Sequence, residues 1–398
     1  MKRNNINIYT IYLVLLIMEC AYSLITLTLL HGYQTIISIV MFISFFMIYK
    51  ERRPISKLGI IVYAIVVLGN VISYRGDVWW IVISLLSRLP LLTFFMMKKE
   101  DLHNLVKNLD KCFCFIVSVS LGLYVLMKLG VPIPNLGRVT YNQYELVNYF
   151  YFYTDSVAYE NKFTGFSLEV GYFALACICM ICLNRFDFRK KSTVVYTLAV
   201  LFSMSLEGYL LLAVGYISSS ICKDASIRSL LKYTITACIV IGIFLYLALN
   251  INGGDNIIAE NIMERLVFDE ELGIAGNNRE NIVAKPILDR IFYSDKVWLG
   301  VGAIEFRKSI NVDGIDLCSW RVFVCVYGVF YTILLAITTL IGLRKTMIKE
   351  TLPFFIIFWL DFYPHGGPFT EVLYFMIIIF LLYPKDSIEY ETNEVRYA

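Results

Sequence analysis

Residues 8–30 read IYTIYLVLLIMECAYSLITLTLL, an apolar run of 23 positions that contains a single charge, Glu19. A helix of about 20 apolar residues is long enough to cross the hydrocarbon core of a bilayer. Similar runs recur along the 398 residues, of which 58% are hydrophobic and 17% charged, against about 25% charged in an average soluble domain. The sequence therefore predicts a polytopic integral membrane protein and excludes soluble enzymes, nucleic-acid-binding proteins and secreted disulfide-rich domains.

Apolar runs bounded by charge, proline or glycine predict an all-α chain with about twelve transmembrane helices, at residues 8–30, 33–49, 58–74, 78–97, 112–130, 165–184, 193–205, 207–222, 233–251, 319–342, 352–363 and 368–384. With the N-terminus inside, 22 of the 35 lysines and arginines lie in short cytoplasmic segments, as the positive-inside rule requires. We expect a single transmembrane domain, residues 1–398, with both termini cytoplasmic. No small-residue cleavage site follows the first run, which is therefore read as a retained helix.

Two long loops are predicted on the extracytoplasmic side, residues 131–164 and 252–318, and long loops on a compact bundle are usually functional. The first holds nine aromatic residues and Arg138; its aromatic side chains either form an interfacial belt or stack on sugar rings. The second predicts amphipathic helices within 257–272 and 279–294, with Pro286 either kinking the latter or beginning a new helix. Arg279 and Arg290 fall near one face of that helix, where they suit a lipid-linked phosphate.

Ionisable residues inside the predicted spans are costly in lipid and indicate function by default. Arg88 lies in the middle of a span, where it either pairs with a buried acid such as Glu19 or lines a polar cavity. Glu169 begins the sixth span, and the dipole of that helix would favour a carboxylate there in any case. His365 lies at a break between Asp361 and Glu371. It either belongs to a turn beside two glycines or supplies a functional imidazole.

The polar groups of the spans gather towards the extracytoplasmic half, and they comprise Glu169, Glu207, Arg321, Asp361, His365 and Glu371. Because no ATP is present outside the cell, a substrate there must arrive activated, for example as a sugar on a polyprenyl pyrophosphate. The outer loops hold no Asp-x-Asp pair for a metal, so arginines are expected to stabilise the departing pyrophosphate. A carboxylate or imidazole would take the proton from the attacking hydroxyl, and a single displacement would invert the anomeric carbon.

Five motifs follow one another in the chain: Gly165-Phe-Ser-Leu-Glu169, Ser203-Met-Ser-Leu-Glu-Gly208, Gly276-Asn-Asn-Arg279, Trp298-Leu-Gly-Val-Gly302 and Val326-Tyr-Gly-Val-Phe330. In this order the chain resembles the bacterial O-antigen polymerases of the Wzy type, which are related to the O-antigen ligases. The resemblance covers about residues 131–345 by motif and the whole chain by length and topology. It implies a multi-span fold similar to the glycosyltransferases of the C class.

The resemblance also implies an activity: transfer of a growing glycan from undecaprenyl pyrophosphate to the next lipid-linked repeat unit. The reaction would take place at the periplasmic face of the bacterial inner membrane, without metal or cofactor, and beside a chain-length regulator and a flippase. Arg279 matches the loop arginine that contacts pyrophosphate, Glu169 the acid of the Gly-Phe-x-x-Glu segment, and Arg265 with Gly276 the Arg-x10-Gly pattern. The candidate catalytic residues are thus Glu169 and His365, and the candidate substrate-binding residues are Arg279, Arg290, Arg265, Arg321, Arg88 and Arg138.

Three alternatives remain open. A flippase for lipid-linked oligosaccharides would show short, even loops and an internal repeat, which this chain lacks. A ligase usually carries a histidine before the span that follows the large loop, where this chain reads Asp316-Leu-Cys-Ser-Trp-Arg321. A peptidoglycan polymerase of the shape and elongation class is the third.

Overall fold

The computed structural model describes residues 2–30, 32–50, 52–55, 57–141, 144–156, 162–223, 268–269, 273–274, 285–310, 319–365 and 369–384, with Ile235, Tyr246 and Asn250. The described chain is mostly helical. Its helices are α1 Lys2–Cys20, α2 Leu24–Thr28, α3 Gln34–Ile48, α4 Lys57–Ser73, α5 Val78–Ser87, α6 Pro90–Met96, α7 Lys99–Lys128, α8 Val170–Leu183, α9 Lys191–Phe202, α10 Leu206–Lys223, α11 Lys285–Phe292, α12 Ala303–Ile310, α13 Trp320–Tyr327, α14 Val329–Arg344, α15 Ile348–His365 and α16 Phe369–Leu382. The strands are β1 Arg138–Tyr141, β2 Tyr144–Tyr149, β3 Tyr153–Ser156, β4 Phe268–Asp269 and β5 Gly273–Ile274.

The predicted spans in the described residues coincide with helices or helix pairs, because apolar runs bounded by polar residues satisfy their backbone groups internally as helices. By length and mean hydropathy, two helical stretches could cross a membrane, Val78–Met96 and Lys99–Lys128. A third is added if α13 and α14, bent by 110°, form one span. The remaining apolar helices are shorter. The mostly helical fold is confirmed. Helix length and mean hydropathy support two or three crossings and not the predicted twelve. The predicted span at 233–251 lies mostly outside the described residues.

The first predicted loop corrects the all-α expectation, because residues 138–156 form a three-stranded antiparallel sheet in the order β1-β2-β3. Arg138 pairs with Val147, and Tyr149 pairs with Tyr153. Aromatic and β-branched residues favour this pleated backbone. At the β2–β3 turn, Phe150 and Tyr151 have positive φ of 57° and 62°, the conformation of a tight hairpin turn. Tyr141, Tyr144, Tyr149 and Tyr153 therefore belong to a folded sheet, and Phe150, Tyr151 and Phe152 lie in its β2–β3 turn.

The second predicted loop is described in part. The helix α11 contains Pro286 near the beginning of its described part, Lys285–Phe292. Residues 275–284 lie outside the described residues, so the two alternatives for Pro286, a kink or a helix start, stay predictions. Residues 268–269 pair with 273–274 as two short strands. Most of the amphipathic helix expected within 257–272 lies outside the described residues.

Contacts divide the chain into two compact units, and the single transmembrane domain expected from hydropathy stays a prediction. The first unit comprises residues 1–12, 32–108 and 281–398. In it, the buried Leu288, Ile291, Val301, Phe306 and Cys325 join α11, α12 and α13 in one hydrophobic cluster. This cluster holds the described part of the second loop on the broken helix pair α13–α14.

The second unit comprises residues 13–31 and 109–280. Its α8 is buried along nearly its whole length, including the thiols of Cys177, Cys179 and Cys182. At one end of α8, the Asp110 carboxylate accepts hydrogen bonds from Asn184 Nδ2 at 2.7 Å and Ser192 Oγ at 2.8 Å. This network ties α7, α8 and α9 together. Because its hydrogen-bonding groups satisfy one another, we assign it a structural role.

Candidate functional site

The first unit contains a break in a helix, and a segment of the second predicted loop hydrogen-bonds to the backbone at that break. α13 ends and α14 begins at Gly328, whose φ of 92° lies in the left-handed region. A helix break leaves backbone carbonyls without their usual partners. Here Val301 N–H donates to Cys325 O at 2.7 Å, and Gly302 N–H donates to Val326 O at 2.9 Å. Residues 298–302 therefore replace the missing helical hydrogen bonds.

Glycine is required on both sides of this contact. A Cβ atom on Gly300 would lie 2.3 Å from Val326 O, and one on Gly328 would lie 2.5 Å from the carbonyl carbon of Leu299. Both distances are shorter than non-bonded atoms allow. The motifs Trp298-Leu-Gly-Val-Gly302 and Val326-Tyr-Gly-Val-Phe330, which carry part of the family resemblance, thus meet glycine to glycine.

Arg75 fixes the other side of the same segment. Its Nε donates to Val301 O at 3.1 Å, and its Nη2 donates to Gly300 O at 2.5 Å. Two residues on, the Asp77 carboxylate caps α5 by accepting from the backbone N–H groups of Trp79 and Trp80, both at 3.1 Å. The short turn Arg75-Gly-Asp77 is therefore anchored at both ends, and sequence reasoning did not select either residue.

An open cleft of about 650 Å³ lies between this turn and the segment 295–308. Besides Arg75 and Asp77, four exposed charged side chains line it, those of Asp295, Lys296, Glu305 and Lys308. None of the four forms an ion pair or a side-chain hydrogen bond with another residue of the described ranges. The cleft thus presents two cationic and two anionic groups to a ligand.

Exposed apolar side chains occur beside the cleft. Val78 and Trp79, which follow Asp77, are 74% and 71% exposed, and Leu299 in the cleft wall is 66% exposed. Trp80 and Trp298 are about half exposed. Tryptophan is enriched at membrane–water interfaces, where its ring is apolar and its N–H remains wet. The pattern is typical of a surface at the level of lipid headgroups.

The predicted arginines of this unit lie elsewhere. Arg321 donates to the Asp289 carboxylate and lies 4.8 Å from the centre of the Phe292 ring, so it fastens α13 to α11. Arg290 is exposed on α11. Arg88 lies at the break between α5 and α6, close enough to Tyr12 and Tyr331 to interact with them electrostatically.

His365 is the last residue of α15, as expected for the predicted break. The predicted arginines Arg88, Arg290 and Arg321 are not among the described residues that line the cleft.

The other predicted residues belong to the second unit or are not described. Glu169 is the N-cap residue of α8. Its backbone N–H donates a hydrogen bond to Ser167 Oγ at 3.0 Å. Its position at the helix start agrees with the dipole interpretation. Arg138 forms an exposed ion pair with Glu145 across β1 and β2, at 2.7 Å. Arg265 and Arg279 lie outside the described residues.

Two signals in the sequence could have indicated the cleft. Arg75 lies in a very short turn that is predicted to be extracytoplasmic, whereas most basic residues of the chain are predicted inside, and this is unusual under the positive-inside rule. The glycine motifs could have been read as close backbone approaches. No protein-family model, curated protein or solved structure matches this chain, so the comparisons assign it to no family.

Proposed function

We propose that the protein polymerises undecaprenyl pyrophosphate-linked oligosaccharide units into O-antigen or a related surface polysaccharide, at the periplasmic face of the bacterial inner membrane. The observation that carries the proposal is the contact between the two glycine motifs. They are 26 residues apart, counted from Gly302 to Gly328, yet the backbone N–H of Gly302 donates to Val326 O beside a charged cleft. This contact supports the proposal, because two of the motifs that carry the resemblance form one local structure.

The proposal includes about twelve crossings, and contacts at the ends of helices support more crossings than helix length alone. Suppose that Val78–Met96 crosses the membrane. Arg53 N–H donates to Met96 O at 3.0 Å, so residue 53 lies at the Met96 end. Arg75 precedes Val78 and lies at the opposite end. The segment between them, which is α4, must then cross as well.

The same reasoning applies to α8 in the second unit. If Lys99–Lys128 crosses, Asp110 marks its first half, and the Asp110 carboxylate binds Asn184 and Ser192 at the end of α8. Residues 130–165 follow the other end of that helix. Phe163 N–H donates to Phe202 O at 3.0 Å there. These contacts support crossings by α8 and α9.

In the proposed reaction, an acceptor sugar hydroxyl attacks the anomeric carbon of the donor glycan. A C–O bond forms between them, the bond from the anomeric carbon to the pyrophosphate oxygen breaks, and the carrier leaves with the electron pair. Glu169 or His365 accepts the hydroxyl proton. Arginines, with Arg279 first, stabilise the negative charge that develops on the pyrophosphate.

Deletion of the gene followed by electrophoresis of lipopolysaccharide tests the function. A polymerase deletion removes the ladder of long chains and keeps lipopolysaccharide that carries a single repeat. Loss of the single repeat as well would point to a ligase or a flippase and would overturn the proposal.

Arg279 is tested in the same assay. We expect Arg279→Ala and Arg279→Lys to abolish the ladder at normal expression, since an ammonium does not replace the two-pronged contact of a guanidinium. Lys285→Ala, an exposed change at the start of α11, is the control and should leave the ladder unchanged. A normal ladder from either Arg279 variant would remove Arg279 from the mechanism. A normal ladder from Glu169→Gln would leave His365 as the base.

A further inference from the structure

We propose that the cleft between the turn Arg75-Gly-Asp77 and α12 binds the headgroup of a zwitterionic phospholipid, one that carries a phosphate and a primary ammonium. This inference concerns a lipid site and does not depend on the polymerase proposal. The charged groups that line the cleft fall into two sets, those bound to backbone groups and those without a partner in the described part of the chain. Arg75 and Asp77 are engaged with backbone groups, whereas Asp295, Lys296, Glu305 and Lys308 have no partner among the described residues.

The four available charges are arranged as two pairs of opposite sign. Asp295 and Lys296 are neighbours at the start of a short 3-10 helix, Asp295–Trp298. Glu305 and Lys308 are three residues apart on α12, a spacing that places them on the same side of a helix. Each of the two segments therefore contributes one cation and one anion to the cleft.

This charge balance selects among lipid headgroups. The four side chains sum to zero charge, so an anionic headgroup would gain from two lysines and be repelled by two carboxylates. A polyprenyl diphosphate, with more negative charge, would likewise gain no net attraction from side chains that sum to zero charge. A headgroup with one phosphate and one ammonium can satisfy both signs, with the lysines donating to phosphate oxygens and the carboxylates accepting from the ammonium.

The size of the cleft and its surroundings fit the same occupant. A volume of about 650 Å³ lies within the range of roughly 300–1,000 Å³ for small-ligand sites. Val78, Trp79 and Leu299 are exposed beside the charged groups, so acyl chains leaving the cleft would meet apolar side chains. A purely water-soluble ligand would have no use for that exposed apolar surface.

Lipid binding to the purified, delipidated full-length protein tests the proposal. The probes are phosphatidylethanolamine, phosphatidylglycerol and phosphatidylcholine with identical acyl chains, and bound lipid is counted by native mass spectrometry. We expect phosphatidylethanolamine to bind about tenfold more tightly than phosphatidylglycerol, the effect of one charge-assisted hydrogen-bonded contact. Phosphatidylcholine should bind more weakly than phosphatidylethanolamine, because its quaternary ammonium has no N–H to donate.

Two paired variants separate the charges. Asp295→Asn with Glu305→Gln leaves a cationic cleft, which should prefer phosphatidylglycerol. Lys296→Gln with Lys308→Gln should lose the phosphate contacts and bind both lipids weakly. Glu100→Gln with Lys107→Gln changes exposed charges on α7, outside the cleft, and should keep the preference of the wild type.

Three results would overturn the proposal. They are equal binding of the ethanolamine and glycerol lipids by the wild type, preference of the wild type for phosphatidylglycerol or a polyprenyl diphosphate, and unchanged preference in both cleft variants. The comparison of the three lipids needs only the wild-type protein, so it decides the matter even if a variant fails to fold.

Discussion

At Gly300 the absence of a side chain allows two backbone segments to pack against each other. We expect Gly300→Ala to destabilise the protein by on the order of 3 kcal/mol, because the new Cβ would meet Val326 O at 2.3 Å and because φ is +68°. Gly130→Ala is the matched control: its φ is +77°, but nothing lies within 4 Å of the added Cβ. It should cost only the backbone strain, about 1 kcal/mol. Thermal unfolding in detergent measures both, and equal shifts would contradict the close approach.

Arg75 acts through two hydrogen bonds to one stretch of backbone. Arg75→Lys keeps the charge but cannot donate to Val301 O and Gly300 O with the same rigid fork. We expect a loss of about 1.5–3 kcal/mol in unfolding free energy, the net value of one such bond to a charged donor. Arg307→Lys, an exposed change on α12, should be neutral within error. If Arg75→Lys is equally neutral, the guanidinium does not anchor the segment.

At the scale of elements, the sequence predicted the helices and the break at His365 but not the bend between α13 and α14. A helix such as Val170–Leu183 can be predicted from its own apolar run, without knowledge of the rest of the chain. The bend at Gly328 depends on hydrogen bonds from Val301 and Gly302, more than 20 residues away. The Arg75 contact to Gly300 spans 225 positions. The local periodicity of a sequence carries no information on contacts between such distant residues, so the cleft could not be predicted from the sequence.

The sheet of the first loop was missed for a different reason. Its tyrosines suggested an interfacial belt or a sugar-stacking surface, and the structure instead buries Tyr153 almost completely. Burial raises the pKa of the Tyr153 hydroxyl above its usual range, and the nearby Asp155 carboxylate raises it further. This phenol therefore stays protonated at physiological pH and serves packing. Phe150, 42% exposed at the turn, remains a candidate for stacking on sugars.

A substitution of Phe150 can separate an effect on the stability of the sheet from an effect on glycan binding. Asparagine tolerates positive φ better than phenylalanine and is favoured at this position of a tight hairpin turn. Phe150→Asn should therefore stabilise the sheet by about 0.5–1 kcal/mol. If the ring stacks on the glycan, the same variant should shorten the lipopolysaccharide ladder. Phe188→Asn, equally exposed at 42%, is the control and should bring no gain. A less stable Phe150→Asn protein would contradict the strain argument.

On the scale of the whole molecule, the candidate catalytic residues fall in different units. Glu169 belongs to the second unit and His365 to the first. The sequence could gather both on one side of the membrane, because topology depends on charge placement, but it could not measure the distance between them. Helix length is also a poor guide here: the 14 residues of α8 rise about 21 Å at 1.5 Å each, short of the roughly 30 Å hydrocarbon core.

Cysteine labelling distinguishes twelve crossings from two. Single cysteines at Arg53, Lys107, Asn135 and Phe188, in a cysteine-free background, are treated with a membrane-impermeant maleimide before and after permeabilisation. With twelve crossings, positions 53, 107 and 188 react only after permeabilisation, and position 135 reacts in intact cells. If only Val78–Met96 and Lys99–Lys128 crossed, positions 53 and 107 would lie on opposite sides, and positions 135 and 188 on the same side. The hydrogen bond between Arg53 and Met96 favours the first pattern, because with α4 uncrossed residue 53 could not reach the far end of that helix.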